Sequence, residues 1–215
     1  MKLSSLSDIV KGSYDCDDLE LMSCVFSTDS RSIRQGDIFI ALRGKNFDGH
    51  EFLNKAFALG AVAAIVDREY AEVQIEAPKT SNKNLIVVDD TLLAYGKIAA
   101  FYTKDLEAKK VAITGSCGKT SVKEMLAAIL SEKGETLATQ ANFNNEVGVP
   151  LTLLNINEKH DFAVIEMGAS HQGDIAYLSN LVNADVVTVL NADRAHLAGF
   201  GSIETVVKTK GEIFS

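Results

Sequence analysis

Thr114-Gly115-Ser116-Cys117-Gly118-Lys119-Thr120-Ser121 follows an apolar run, Val111-Ala112-Ile113, and precedes an amphipathic one, Val122 to Leu130. Strand, glycine-rich turn and helix in that order make a phosphate cradle. Glycines let the backbone approach the oxygens, and the N–H groups of the turn point inward. The helix N-terminus adds positive potential. A lysine after the second glycine reaches the terminal phosphates, and the next hydroxyl suits Mg²⁺. The chemistry implied is binding of a nucleoside triphosphate, ATP being the common one. The usual phosphate loop has four residues between its glycines; here only Ser116 and Cys117 stand between Gly115 and Gly118. A turn this short is also an ordinary strand-to-helix corner, and the strand and helix on either side favour the phosphate cradle.

Other polar clusters follow apolar runs. Phe162-Ala163-Val164-Ile165 precedes Glu166, so that carboxylate emerges where a strand ends. It is placed either to hold Mg²⁺ or to cap the next helix. His196, in Asn191-Ala192-Asp193-Arg194-Ala195-His196, is either a metal or phosphate contact or a surface histidine. Asn144 and Asn145 lie in the polar loop Thr139 to Pro150. Their amides suit sugar or amide recognition, or equally turns and caps. Nearer the start, Thr28-Asp29-Ser30-Arg31 and Asp48-Gly49-His50 offer hydroxyls and charges for a nucleotide diphosphate, or simply solvated turns.

The elements that must position these residues fall into two patterns. Residues 1–105 read as one unit, with a strand at 37–42, a helix at 51–59 stopped by Gly60, strands at 63–66 and 85–88, a polar connection at 76–84, and a helix at 91–102. The charged stretch Lys104 to Lys110 reads as a junction. Residues 106–215 then alternate strands at 111–115, 136–139, 163–167 and 186–191 with helices at 121–131, 149–155, 173–181 and from 202 onward. Apolar strands alternating with helices predict an α/β fold with a mostly parallel sheet covered on both faces. Ligands of such sheets bind at the carboxyl ends of the strands, where most of these clusters fall. The end of the chain, Gly211 to Ser215, falls inside the expected helix with no cap, which suggests a piece of a longer polypeptide.

Composition narrows the class. A net charge of −8 argues against a nonspecific nucleic-acid surface. No apolar run approaches the roughly 20 residues that span a bilayer, so no membrane insertion is expected. The start lacks the apolar core of a signal peptide. Cys16, Cys24 and Cys117 have no metal-ligand spacing, and their odd number fits a reducing cytoplasm.

With these motifs placed, the chain resembles the Mur ligases of bacterial cell-wall synthesis. The resemblance is carried by Asp29-Ser30-Arg31, Gly36 to Leu42, Phe47-Asp48-Gly49-His50, the phosphate loop, Asn142 to Pro150, Glu166-Met167-Gly168-Ala169, His196 to Ser202 and Lys208 to Phe214. It spans essentially all 215 residues. The N-F-N-N-E-x-G-x-P and H-L-x-G-F-G-S stretches are its most specific parts. The short phosphate loop alone marks a broader superfamily that includes folylpolyglutamate synthetases. Cys117 stands where a small polar residue is usual, and Ser170 where Asn is frequent before His171-Gln172-Gly173.

The resemblance is greatest to family members that add D-alanyl-D-alanine to UDP-N-acetylmuramoyl-tripeptide through an acyl phosphate. It implies a small UDP-sugar-binding domain at 1–105, an incomplete P-loop ATPase domain at 106–215, and a third domain that is absent, so that this chain is inactive alone. It implies catalytic roles for Lys119, Glu166, His196 and Lys210. ATP would lie on Thr114, Gly115, Ser116, Cys117, Gly118, Lys119, Thr120 and Ser121. Substrate would lie on Thr28, Asp29, Ser30, Arg31, Asp48, Gly49, His50, Asn144 and Asn145. One Mg²⁺ would sit on Thr120 and Glu166, and a second on His196 with Lys210 if that lysine is carbamylated. A monomer without nucleic-acid partners is expected. Two other classes compete: a P-loop kinase, which would release a phosphorylated product without an amide, and a non-catalytic UDP-sugar-binding piece.

Overall fold

A computed structural model describes residues 1–21, 25–44, 46–75, 84–193 and 200–215. The chain folds as two compact units, Met1–Ile98 and Ala99–Ser215.

The first unit runs α1 (Leu3–Val10), β1 (Ser13–Tyr14), β2 (Phe26–Ser27), β3 (Ile38–Ile40), β4 (Arg43–Gly44), β5 (Phe47–Asp48), α2 (Leu53–Ala58), β6 (Ala63–Asp67), α3 (Arg68–Ile75), β7 (Leu85–Val88) and α4 (Thr91–Thr103). Its five-stranded sheet has the order β1-β7-β6-β3-β2. β2, β3, β6 and β7 run parallel, and β1 closes one edge antiparallel. Ala63, Ala64, Ile65 and Val66 are all fully buried, as a strand covered on both faces requires. β4 and β5 form a separate antiparallel hairpin.

Two expected elements are shorter or start differently. The strand expected at 37–42 holds only Ile38–Ile40. Asp37 instead closes a turn, its carboxylate accepting the Arg34 N–H at 2.8 Å. Past Ile40 the chain bends, and the Gly49 N–H reaches Leu42 O at 2.8 Å. The helix expected at 51–59 begins as a 3-10 turn, Gly49–Phe52, capped by Asp48, and continues as α2. Gly60 ends it with φ +112°, a left-handed value that suits glycine. Helices α1 and α3 were not anticipated. Leu3, Leu6, Ser7 and Val10 of α1 are buried at the i, i+3, i+4, i+7 spacing of an amphipathic helix. Residues 76–83 of the expected polar connection lie outside the described residues.

The second unit runs β8 (Lys109–Thr114), α5 (Lys119–Ser131), β9 (Thr136–Ala138), α6 (Gly148–Leu154), β10 (Phe162–Glu166), α7 (Asp174–Val182), β11 (Val186–Val189) and α8 (Ile203–Gly211), then a 3-10 turn, Glu212–Phe214. The sheet is parallel throughout, in the order β11-β8-β10-β9. β8 starts two residues earlier than the charge pattern suggested. Asp185 makes that possible by accepting from Lys109 Nζ at 3.1 Å and from the Lys110 N–H at 2.9 Å.

Alternate residues of a strand face opposite sides. Ala112, Ala163 and Ile165 join one core with Val149 and Leu153 of α6 and Ile175, Leu178 and Val182 of α7. Val164, Ile113 and Glu166 alternate with them, and α5 packs against β9 and β10. Glu166 pairs in register with Ile113, and Thr114 with Val189, so the three strands end together. That edge carries the site.

Ile165 is fully buried in the central strand. Ile165→Ala should cost about 2–5 kcal/mol, as large-to-small core changes do. In urea unfolding the midpoint should fall with an unchanged slope; an unchanged midpoint would contradict this packing.

Candidate functional site

Thr114 ends β8 fully buried, its Oγ1 donating to Met167 O at 2.9 Å. The chain turns at Gly115, where a Cβ would come within 3.1 Å of Leu190 Cβ. It turns again at Gly118, whose φ is +79°. Gly118 is the N-cap of α5 and supplies no side-chain cap. The first intrahelical bond is from the Val122 N–H to Gly118 O, 3.0 Å. The N–H groups of Lys119, Thr120 and Ser121 therefore have no intrahelical acceptor. This is an anion site in form: a thirteen-residue helix with an uncapped N-terminus behind a glycine turn.

Three side chains of the loop region are already engaged. Lys119 Nζ donates to Gly115 O at 2.7 Å, folded back over its own turn. Thr120 Oγ1 donates to Glu166 Oε2 at 3.0 Å. Glu166 is 2% exposed. Its other oxygen accepts from Asn144 Nδ2 at 2.7 Å. The Glu166 N–H donates to Thr139 Oγ1 at 3.0 Å. A hydroxyl and a carboxylate thus meet beside the uncapped helix.

Asn145 does something different from Asn144. Its Oδ1 accepts the N–H groups of Gly148, at 2.9 Å, and Val147, at 3.3 Å, so it braces the first turn of α6. Lys210 is 3% exposed near the end of α8. Burial, and then the neighbouring Lys119 ammonium, push its pKa down to about 8, against the pull of Asp174. His196 lies outside the described residues.

Four residues that sequence reasoning did not assign support this site. Lys123, buried in α5, donates to Thr139 O at 2.6 Å and meets Glu124 at 2.8 Å. Asp174 accepts the N–H groups of Ser170 and His171, each at 2.8 Å. Glu212 accepts those of Gly173, at 3.0 Å, and Ala176, at 3.1 Å, and so ties the segment after α8 to the start of α7. Asn191 Oδ1 accepts the N–H groups of Ser116, at 3.0 Å, and Cys117, at 3.1 Å. The available signal for Asn191 was its place just past β11, the strand paired with β8.

The candidate substrate residues of the first unit form two groups. Asp29 and Arg31 pair with each other, Arg31 Nη2 lying 2.7 Å from Asp29 Oδ2. The Asp29 carboxylate also accepts the Arg31 N–H at 2.9 Å. Ser30 is buried and Thr28 half-buried beside them. In the second group His50 is buried. The Asp67 N–H donates to its Nε2 at 3.1 Å, which leaves Nδ1 as the protonated nitrogen, 2.6 Å from Asp48 Oδ1. Both ring nitrogens are therefore spent inside the protein. Tyr70 stacks on the ring at 4.9 Å. A Cβ at Gly49 would lie 2.6 Å from Leu42 O, so the backbone fits only glycine there. Next to this group a cavity of about 320 Å³ opens at the carboxyl ends of β6 and β7, lined by Arg43, Asp67, Glu69, Asp89, Asp90 and Thr91 among others.

Residues 25–103 match the model described as Mur ligase family, catalytic domain, and residues 113–215 match the Mur ligase middle domain. The chain belongs to the Mur ligase family. It is 46% identical over 213 residues to the UDP-N-acetylmuramoyl-tripeptide--D-alanyl-D-alanine ligase of Escherichia coli K12, covering 99% of this chain and 45% of that protein. The Bacillus subtilis 168 protein of the same name is 38% identical, with 88% and 40% covered. Among solved structures, MurF from Acinetobacter baumannii superposes with a TM-score of 0.85 at 38% identity, over 98% of this chain and 45% of that one. MurF ligase from Thermotoga maritima in complex with ADP gives 0.79 at 36% identity, over 91% and 44%. The chain thus spans less than half the length of the curated relatives it matches.

The side-chain hydrogen bonds of Arg31 hold the Asp29 carboxyl down to about 2. A folded-state pKa below the unfolded one stabilises at higher pH, and this contribution is lost as pH falls toward 2. In a carbon-13 NMR titration Asp29 should protonate only near pH 2, and Arg31→Ala should return it to the ordinary carboxylate range. Ordinary titration of Asp29 in the unaltered protein would mean that the pair is open in solution.

Proposed function

We propose that this chain is part of an ATP-dependent ligase that joins D-alanyl-D-alanine to UDP-N-acetylmuramoyl-tripeptide in peptidoglycan precursor synthesis. The observation that carries the proposal is the convergence of Lys119, Thr120 and Glu166 at the uncapped N-terminus of α5. The names of the matched E. coli and B. subtilis relatives support the substrates, and the ADP complex of the Thermotoga neighbour supports the nucleotide.

The residues present suit Mg²⁺. A hard cation of this kind takes oxygen ligands, usually one or two carboxylates together with phosphate oxygens and waters. Thr120 Oγ1 and Glu166 Oε2, 3.0 Å apart, are such a pair. When bound, the ion neutralises charge on the phosphates and draws electrons from phosphorus.

In the reaction, a carboxylate oxygen of the tripeptide bonds to the γ-phosphorus and the bond to the ADP oxygen breaks, giving an acyl phosphate. The amine of the dipeptide then attacks the carbonyl carbon. The resulting tetrahedral centre loses a proton and phosphate, leaving an amide. Two anions must meet in the first step. Lys119, released from Gly115 O, and the N–H groups of Lys119, Thr120 and Ser121 supply the opposing charge. Asn144 fixes the Glu166 carboxylate, so that its position does not depend on the nucleotide.

Residues 106–215 form the ATP side of this scheme, with Thr114 to Ser121 around the phosphates. Residues 1–105 form the UDP-sugar side, through Thr28, Asp29, Ser30 and Arg31. Asp48, Gly49 and His50 shape the neighbouring turn, and the enclosed His50 ring acts there as a post rather than as a direct contact. Lys210, once carbamylated by CO₂ with loss of a proton, would with His196 hold a second Mg²⁺ and help neutralise the phosphates. Its burial and lowered pKa favour the neutral amine that this addition needs. The enzyme works as a monomer in the cytoplasm, where its nucleotide substrates are. No helix among the described residues is long and apolar enough to cross a membrane.

In the full-length protein, Lys119→Ala should lower D-alanyl-D-alanine-dependent phosphate release on the order of 10²-fold or more. Near-normal release by a folded variant would overturn the phosphate-cradle assignment. Release of a phosphorylated product without amide formation would replace the ligase with a kinase.

A further inference from the structure

We propose that Asn191 is a positioning residue for the phosphate loop: its carboxamide locks the back of the turn so that the front is already shaped for phosphate. This rests on the nucleotide assignment above. The N–H donors of the loop fall into two sets. Those of Ser116 and Cys117 go to Asn191 Oδ1, at 3.0 and 3.1 Å, and the Ser116 N–H is shared with the Asn191 backbone O at 3.2 Å. Asn191 Nδ2 answers with a bond to Cys117 O at 3.1 Å. The remaining donors, on Lys119, Thr120 and Ser121, lie in the first turn of α5 with no intrahelical acceptor and an N-cap that offers no side chain. One side chain therefore occupies the donors at the back of the turn and leaves those at the start of α5 open.

A carboxamide is the group that fits. It offers two lone pairs on one oxygen and two donors on the adjacent nitrogen; the three bonds use both lone pairs and one donor. An aspartate would keep the acceptor, lose the donor to Cys117 O, and place a negative charge beside the phosphates. The backbone of Asn191 is held independently of its side chain. Before it, the Leu190 N–H donates to Thr114 O at 2.9 Å. After it, Ser116 Oγ and the Asp193 backbone exchange bonds of 3.0 and 2.9 Å. Removing the carboxamide thus frees the turn without freeing the strand end. The turn contains Gly115 and Gly118, residues that lose the most freedom on ordering. Without the brace, nucleotide binding must order them itself.

The first measurement is amide hydrogen exchange in the ligand-free, unaltered protein. The Ser116 and Cys117 N–H groups should be protected, and Asn191→Ala should abolish the protection of Cys117, whereas Ser116 keeps its bond to the backbone O of residue 191, while thermal unfolding stays close to the parent's. Second, MgADP binding by calorimetry should weaken about 10- to 100-fold in Asn191→Ala, as for loss of two or three hydrogen bonds. Asn191→Asp should weaken it further. In the full-length enzyme the KM for ATP should rise more than kcat falls, because Lys119, Thr120 and Glu166 remain; a variant damaged only in its fold would lose both. An unprotected Cys117 amide in the unaltered protein would overturn the brace. So would parent-like MgADP affinity in Asn191→Ala. Failure of the unaltered protein to bind MgADP would instead overturn the nucleotide assignment beneath it.

Discussion

A carboxylate buried at 2% exposure must be compensated, and the second unit is organised around that requirement. An unpaired buried charge costs several kcal/mol. Glu166 avoids this by spending one oxygen on Thr120 and the other on Asn144. Those partners come from different segments, the start of α5 and the loop before α6. The carboxylate therefore ties both to the end of β10. Thr139 adds a third tie, accepting the Glu166 N–H while Lys123 holds its carbonyl. Parallel register makes the arrangement possible, because β8, β10 and β11 all end at one edge. A ligand arriving there meets an assembled site and pays little to order it.

The local structure of this edge was legible in the sequence where residue type and local order suffice. The glycine turn after Val111-Ala112-Ile113 gave the loop, and the apolar run before Glu166 gave the strand-end carboxylate. Contacts between segments far apart in the chain were not legible. Asn191 reaches the loop only because β11 pairs with β8, and no local pattern states that pairing. Lys123 looks like any helix-surface lysine until α5 is laid on β9 and β10. For several polar residues the sequence left a ligand contact and a turn or cap equally open. Asn145 and Asp48 cap their neighbouring turns, as short polar side chains often do, and both ring nitrogens of His50 bond within the protein. Helix α1 was missed although its apolar spacing was present, and α3 lacks a strong apolar face to betray it.

In the first unit the charges at the carboxyl edge of the sheet are arranged in opposed pairs. Arg43 contacts Asp67 at 2.6 Å and Glu69 at 3.2 Å, and Arg68 contacts Asp89 at 2.7 Å. Exposed pairs of this kind add little stability, typically under about 1 kcal/mol. Their effect is local: each arginine is drawn to an acid that lines the cavity. The tight turn at Gly49 and the stack of His50 on Tyr70 fix the hairpin that carries Arg43. Shape here comes from packing and backbone, and the charges decorate it.

The two lysines of the second unit reverse that relation. Lys119 is held to its own turn by one carbonyl, and its charge helps drive down the pKa of buried Lys210. Two like charges kept close in a sheltered place repel, and the cost is borne by the ligand-free protein. On the proposed reading, a polyphosphate at the end of α5 would relieve it by drawing off the Lys119 ammonium, and a carbamate on Lys210 would remove the second charge altogether. The same relief frees Lys119 from Gly115 O, a bond easily surrendered for a charged partner. Glu166 undergoes no such exchange, because Asn144 holds it from the side of the α6 loop. The site thus combines an anion held by neutral donors with a lysine bonded only to its own turn. That division of labour suits phosphoryl transfer, in which the phosphates move and the carboxylate must not.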